Sequence, residues 1–149
     1  MKKNCKVSPR LSKIPSFNPF EVEVDIKADS VNFIPIVRED GGFDLVANSS
    51  NDVNNMKRHT ITSRVIQKID CGFSISMPKG YHLVIEGLED HMSRGLVVFS
   101  GFSGVDNQRV CVYAHNLGKE IMIVNSGDKI ARMYILASYN AKLNVKEKE

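Results

Sequence analysis

The chain has 149 residues, of which 42% are hydrophobic and 25% are charged, values typical of one water-soluble globular domain with a sizeable core. Its formal net charge of +3 is too small to indicate the concentrated basic face of a nucleic-acid-binding protein. No apolar run approaches the roughly 18 residues that a membrane-spanning helix needs, and the three cysteines are too irregularly spaced for a disulfide framework or a zinc site. We therefore expect a cytoplasmic domain that works in a reducing compartment.

The two ends of the chain differ in composition from the segment between them. Residues 1–19 carry five basic side chains, three prolines and no acidic side chain, which predicts a flexible basic arm. Such an arm is most often a solvated tail, and contact with nucleic acid or with a partner is the alternative. Residues 139–149 are polar and highly charged and predict a C-terminal tail, so the folded domain should span residues 20–138.

Between these ends, short alternating or β-branched segments follow one another, and each predicts a β-strand. Turn residues separate them: Pro78-Lys79-Gly80 predicts a hairpin, residues 86–94 a polar connector, and residues 100–109 the polar tip of a second hairpin. Helical periodicity extends over no more than about ten residues anywhere, so the succession predicts an all-β sandwich or barrel. The predicted strands are residues 20–27, 31–37, 43–47, 60–69, 71–77, 81–85, 95–99, 110–113, 121–124 and 129–136.

The sequence lacks the common motifs of nucleophilic or phosphate chemistry. Its four histidines are scattered without metal-ligand spacing, and it has no G-x-S-x-G, no phosphate-binding G-x-x-x-x-G-K-[ST] and no dinucleotide-binding glycine cluster. Three turns that combine glycine or valine with an aspartate remain, around Asp44, Asp106 and Asp128. A single turn aspartate usually accepts hydrogen bonds from its own loop, so each turn taken alone indicates a structural role.

Three segments carry more information when they are taken together and in order. Residues 41–45 are GGFDL, residues 69–81 are IDCGFSISMPKGY, and residues 127–132 are GDKIAR. They resemble three runs of the trimeric dUTPase family: A-G-Y-D-L, V-P-T-G-x-x-[IV]-x-[IL]-P-x-G-Y and G-D-[RK]-I-A-Q. Asn116 lies eleven positions before Gly127, the spacing usual from that family's L-[FY]-N. The resemblance covers roughly residues 20–137.

The resemblance implies a dUTPase-like jelly roll, or distorted β-barrel of many short strands, that assembles as a homotrimer with active sites where subunits meet. It also implies hydrolysis of dUTP to dUMP and pyrophosphate with Mg²⁺. The first motif gives Asp44 the role of holding Mg²⁺ through water. The second motif, the hairpin and the fourth motif supply the expected nucleotide- and phosphate-binding residues, which are Ser93, Arg94, Gly95, Arg109 and Arg132.

The motifs also depart from the family pattern. The second motif's Arg-Ser is exchanged to Ser93-Arg94, the fourth motif's Gln is Arg132, and the glycine-rich fifth motif has no counterpart. In the third motif, an ungapped count from Asn116 places Ser103 where the family has its water-activating Asp. A shortened hairpin tip instead aligns Asp106 with that Asp. We take Asp106 as the candidate catalytic base because it is the sole carboxylate of the hairpin.

Two functions of different classes follow from this pattern. The first is a divergent dUTPase that hydrolyses dUTP, or a relative that acts on another deoxynucleoside triphosphate such as dCTP. The second is a catalytically inactive protein with this fold that serves in nucleotide binding, in protein contacts or as a structural trimer. The compact size, the basic arm and the altered motifs would suit a viral or phage protein.

Overall fold

A computed structural model describes residues 21–49, 57–100 and 106–148 of the chain. In these ranges the fold is built almost entirely from antiparallel strands, so the predicted all-β class is confirmed. The elements are β1 (Asp25–Ala28), a 3₁₀ helix η1 (Val31–Phe33), β2 (Ile36–Val37), β3 (Phe43–Val46), β4 (Arg58–Ile61), β5 (Ile66–Ser76), β6 (Tyr81–Gly87), α1 (Glu89–Ser93), β7 (Leu96–Phe99), β8 (Gln108–Asn116), β9 (Met122–Asn125) and β10 (Lys129–Ala137).

The strands form two larger sheets and one strand pair. The first sheet has the order β1-β5-β8-β7, the second has the order β2-β3-β10-β6, and β4 pairs with β9. Alternate side chains of each strand point into the core, as a half-buried strand requires. In β8, for example, Val110, Val112 and Ala114 are buried, and their neighbours along the strand are half-buried. The core is therefore enclosed between sheet faces, as expected for a jelly roll.

The hairpin formed by β7 and β8 is confirmed, with Val98 opposite Ala114. The hairpin predicted at Pro78-Lys79-Gly80 is wrong, because β5 belongs to the first sheet and β6 pairs with β10 in the second. That turn reverses the chain while carrying it from one sheet to the other. The predicted strands at residues 60–69 and 71–77 are also corrected: β4 ends at Ile61, and β5 runs unbroken from Ile66 to Ser76.

The connector predicted at residues 86–94 contains the short helix α1. Residues 138–148 form no helix or strand and are exposed, whereas the basic segment at residues 1–19 lies outside the described residues. Cys71 points into the core and Cys111 lies half-buried on the other face of the sheet, and both are free thiols. In the ranges that the structure describes, no helix has the length and the apolar character needed to cross a membrane.

Candidate functional site

A cavity of about 510 Å³ opens where β3 and β10 meet the segment around α1. Arg132 on β10 lies directly opposite Asp44 on β3, and opposed residues of an antiparallel pair project to the same face of a sheet. The helix α1 follows β6, which pairs with the other edge of β10, and so brings Ser93 to the same place. The residues that line the cavity are Arg38, Asp44, Leu88, Glu89, Asp90, Ser93, Lys129 and Arg132.

Three sequence-predicted residues from three separate motifs thus line one cavity. Asp44, Ser93 and Arg132 are 49 and 39 positions apart along the chain, and the sheet pairing brings them together. Ser93 donates its hydroxyl to the backbone carbonyl of Asp90 at 2.7 Å. Asp44 is buried in the cavity, whereas Glu89 and Asp90 are exposed at its rim.

Asp44 is the buried carboxylate of this cavity, with 6% of its side chain exposed. Its Oδ1 accepts a hydrogen bond from Arg38 Nη1 at 2.9 Å, and its Oδ2 lies 3.0 Å from Lys129 Nζ. Burial by itself raises the pKa of the Asp44 carboxyl, but the hydrogen bonds from Lys129 and Arg38 outweigh it and hold the pKa below its ordinary value. Asp44 is therefore a charged, doubly paired group at neutral pH.

This pairing predicts how Asp44 affects stability as the pH changes. A carboxyl group whose pKa is lower in the folded state stabilises the fold above its unfolded pKa of about 4, and that contribution is lost as the pH falls through the folded pKa. We expect Asp44→Asn to lower the free energy of unfolding by about 2 kcal/mol at pH 7 and by progressively less below pH 4. Urea unfolding at fixed protein concentration measures both values.

The exposed Asp90 provides the control for this measurement. Asp90→Asn removes one carboxylate from the same cavity, but its contact with Arg94 is 4.0 Å long and lies at the surface. Its effect should stay below about 0.5 kcal/mol at every pH. A constant difference between wild type and Asp44→Asn from pH 7 to pH 3 would contradict the assignment of the effect to charge pairing.

Arg132 differs from the other two cations of the cavity because its charge is not paired in the described structure. Arg38 also pairs with Asp40 at 3.0 Å, and Lys129 pairs with Asp44. Arg132 takes part in no ion pair among the described residues, and its Nε is buried without a hydrogen-bond partner. A buried donor without an acceptor is unfavourable, so the hydrogen bonding of Arg132 is incomplete within the described part of the chain.

Arg94 and Gly95 follow α1 but do not line the cavity. Arg94 is exposed and lies 4.0 Å from Asp90. Gly95 has a φ of +93°, and a Cβ there would lie 2.8 Å from the backbone nitrogen of Gly118. The positive φ and the close approach of Gly118 each favour glycine at this position, where the chain turns tightly from α1 into β7. Gly95 therefore has a structural role here.

Arg109 is bound to two carboxylates at the other side of the fold. It donates Nη1 to Asp29 Oδ1 at 2.8 Å and Nε to Asp70 Oδ1 at 2.9 Å, with further contacts from Nη2 to both carboxylates. The hydrogen bond from Arg109 lowers the pKa of Asp29. Arg109 thus links β8 to β5 and to the turn after β1, and it is not among the residues that line the cavity.

Asp106 is exposed at the start of the returning half of the β7–β8 hairpin. Its Oδ1 accepts a hydrogen bond from Ser76 Oγ at 3.3 Å, and Ser76 Oγ also accepts from the backbone nitrogen of Asn107 at 2.7 Å. Asp106 does not line the cavity of its own chain. Ser103, the other candidate for the third motif, lies outside the described residues.

Sequence reasoning missed Arg38 and Lys129 as the partners of Asp44, and it missed Asp29 and Asp70 as the partners of Arg109. A signal for Lys129 was present, because it occupies a basic position within the fourth motif. Arg38, Asp29 and Asp70 carried no such signal. Within the described ranges, no group of three or more histidine, cysteine, aspartate or glutamate side chains could hold a metal ion.

Comparison with known proteins supports the fold through structure and not through sequence. No protein-family model and no curated protein matches the chain. Among solved structures, native EIAV dUTPase matches with a TM-score of 0.67 at 21% identity, covering 85% of this chain and 99% of its own. A mutant dUTPase from phage phi11 of S. aureus, for which a structural Mg(II) ion is described, matches with a TM-score of 0.66 at 16% identity over 85% and 97% of the two chains.

A further match is a mutant dUTPase of Staphylococcus bacteriophage 80alpha, solved with dUpNHpp. It gives a TM-score of 0.65 at 15% identity and covers 85% of this chain and 98% of its own. These matches span nearly the whole length of each dUTPase chain at low sequence identity. The chain therefore has a dUTPase-like fold.

Proposed function

We propose that the chain is a divergent dUTPase-like protein that assembles as a homotrimer and binds dUTP or a related deoxynucleoside triphosphate. It hydrolyses this nucleotide to the monophosphate and pyrophosphate. The observation that carries the proposal is the convergence of Asp44, Ser93 and Arg132, the counterparts of three separate motifs, on one cavity in a fold similar to dUTPases.

In this proposal the cavity holds the triphosphate, and a neighbouring copy supplies the base. Arg132 and Lys129 neutralise phosphate oxygens, and Ser93 orients them. Asp106 of a neighbouring copy accepts a proton from water as that water attacks the α-phosphorus. The bond from the α-phosphorus to the bridging oxygen breaks, and pyrophosphate leaves with its electrons. Asp106 must come from another copy because it does not line its own chain's cavity.

Mg²⁺ is implied by the resemblance, but the cavity does not suit it. Mg²⁺ prefers oxygen ligands, commonly one or two carboxylates together with substrate phosphates. The buried carboxylate of Asp44 already accepts from Arg38 and is paired with Lys129, and these cations repel a third positive charge. We therefore assign no step of the reaction to a metal ion.

A catalytically inactive protein that binds the nucleotide is the second candidate. It is favoured by the positions of Arg94 and Arg109, two predicted phosphate ligands that lie outside the cavity. Arg109 is held by Asp29 and Asp70, so it supplies no free charge to a nucleotide. Loss of one transition-state contact commonly reduces a rate by about 10²–10³, and loss of several would leave binding without turnover.

A panel of dUTP, dCTP and dTTP separates the two candidates. We expect release of pyrophosphate from at least one of them, most rapidly from dUTP, in buffers with Mg²⁺ and in buffers with EDTA. Arg132→Glu is the matched control, because its charge reversal in the cavity should end the release and so exclude a contaminating phosphatase. Binding of a nucleotide without turnover would support the inactive candidate, whereas absence of binding would contradict both.

A further inference from the structure

We infer that this cavity binds the polyphosphate chain of its ligand through arginine and lysine side chains in place of a divalent cation, so that binding does not require Mg²⁺. The inference rests on the proposed function in one respect only, which is the identity of the nucleoside that carries the phosphates. That the ligand carries a polyphosphate chain is argued from the charges and contacts of the cavity itself.

The first argument is the distribution of charge. The cavity combines three cations, Arg38, Lys129 and Arg132, with the single buried carboxylate of Asp44. The two other carboxylates that line it, Glu89 and Asp90, are exposed to solvent at its rim, as is Lys129. The three cations thus balance the three carboxylates, so the cavity has no excess of negative charge that would attract a divalent cation.

The second argument is the state of the Asp44 carboxylate. Each of its oxygens already contacts a different cation, Arg38 Nη1 at 2.9 Å and Lys129 Nζ at 3.0 Å. A Mg²⁺ ion, or a water molecule bound to one, would have to displace or repel these groups to use the carboxylate. Removing a partner from a buried ion pair is costly, because it leaves the other charge uncompensated.

The third argument is the unpaired charge of Arg132, which lines the cavity and takes part in no ion pair among the described residues. Its Nε is buried, so the terminal Nη groups are the donors proposed to contact a ligand. A guanidinium presents several donors in a planar fork that matches two phosphate oxygens, and it stays charged at every physiological pH. The resembled motif has a neutral Gln at this position, so Arg132 adds a positive charge where the phosphates are expected.

The experiment compares two probes in two buffers by isothermal titration calorimetry. The probes are inorganic tripolyphosphate and the non-hydrolysable nucleotide dUpNHpp, each titrated into the full chain in EDTA and in Mg²⁺. We expect both to bind in EDTA at least as tightly as in Mg²⁺. Arg132→Gln should weaken binding in EDTA by about 10- to 100-fold, the effect of removing one charge-assisted hydrogen-bonding group.

Arg58→Gln is the matched control, because Arg58 is exposed on β4 and does not line the cavity. It should leave both affinities within about twofold of wild type. Binding that appears only with Mg²⁺ would overturn the inference and the turnover expected in EDTA, but would leave the proposed hydrolysis of a nucleotide in Mg²⁺ standing. An Arg132→Gln affinity equal to that of wild type would overturn the inference and remove Arg132 from the proposed phosphate contacts. Tripolyphosphate that binds in EDTA as tightly as dUpNHpp would support the inference and contradict a nucleotide-specific function. Absence of binding by both probes in both buffers would overturn both.

Discussion

Replacing Asp106 with Asn is expected to reduce pyrophosphate release from dUTP by at least about 100-fold, the contribution of a general base. The amide has nearly the same shape as the carboxylate but cannot accept the proton from the attacking water. The melting temperature should stay within about 2 °C of wild type, because Asp106 is exposed and its described side-chain contact is one hydrogen bond from Ser76. Initial rates and thermal unfolding of the same preparation measure the two effects.

Asp25 is the matched control for this substitution. It lies on β1 directly opposite Ser76, the residue that contacts Asp106, and it is equally an exposed carboxylate. Asp25→Asn therefore changes the local charge in the same way but leaves the proposed base in place. A rate loss from Asp25→Asn as large as that from Asp106→Asn would assign the effect to the local electrostatic field and remove Asp106 from the mechanism.

A mixing experiment tests whether Asp106 and Arg132 of different copies share a site. Asp106→Asn and Arg132→Glu chains should each be inactive alone. When they are unfolded together in equal amounts and refolded as mixed trimers, a site built from two copies receives both native residues with a probability of about one quarter. We expect about that fraction of wild-type activity to return. Activity that stays at the level of the single variants would contradict a shared site.

The fold was largely predictable because its signals are local. Alternation of apolar and polar residues marks a half-buried strand, and glycine with proline or aspartate marks a reversal. The sheet to which a strand belongs is not a local property. Pro78-Lys79-Gly80 has the composition of a hairpin turn, yet β6 pairs with β10, and the half-buried Leu83 and Ile85 of β6 pack against the core. A turn signal predicts where the chain reverses, but it does not predict which strand the following strand pairs with.

Of the predicted site residues, Asp44, Ser93 and Arg132 line one cavity, whereas Arg94, Gly95, Asp106 and Arg109 do not, and the ion pairs of the site could not be predicted from the sequence. Asp44 and Arg132 were found through local motifs, and their opposition across β3 and β10 is a consequence of the fold. The contact between Arg109 and Asp29 joins residues 80 positions apart, so no spacing rule could have indicated it. The pairing of Asp44 with Lys129 likewise joins residues that are far apart in the sequence, so no spacing rule could have indicated it either. It means that Asp44, which the resemblance predicts to hold Mg²⁺ through water, is already paired with a cation of its own chain.

Replacing Asn116 with Ala is expected to lower the free energy of unfolding by about 4 kcal/mol, near the upper end of single-residue effects. Asn116 is fully buried at the end of β8. Its Nδ2 donates to the carbonyls of Ile61 at 2.9 Å and Glu120 at 2.7 Å, and its Oδ1 accepts from Gly118 N at 3.0 Å. Truncation leaves three backbone groups without these partners and also opens a cavity. Urea unfolding measures the loss.

Two further variants distinguish lost hydrogen bonds from lost volume. Asn125→Ala changes an exposed asparagine at the end of β9 and should cost less than about 0.5 kcal/mol.

Asn116→Asp keeps the volume of the side chain and the acceptor for Gly118 N, but it loses both N–H donors. It also places a buried carboxylate beside the carbonyls of Ile61 and Glu120. Burial raises the pKa of such a carboxyl above its unfolded value, so this variant should lose stability as the pH rises through the folded pKa and regain it toward pH 4. This dependence is opposite in sign to that of Asp44. An Asn116→Asp protein whose stability relative to wild type does not change with pH would show that the side chain at position 116 is not buried in the folded protein, and would contradict the burial on which the cost of Asn116→Ala depends.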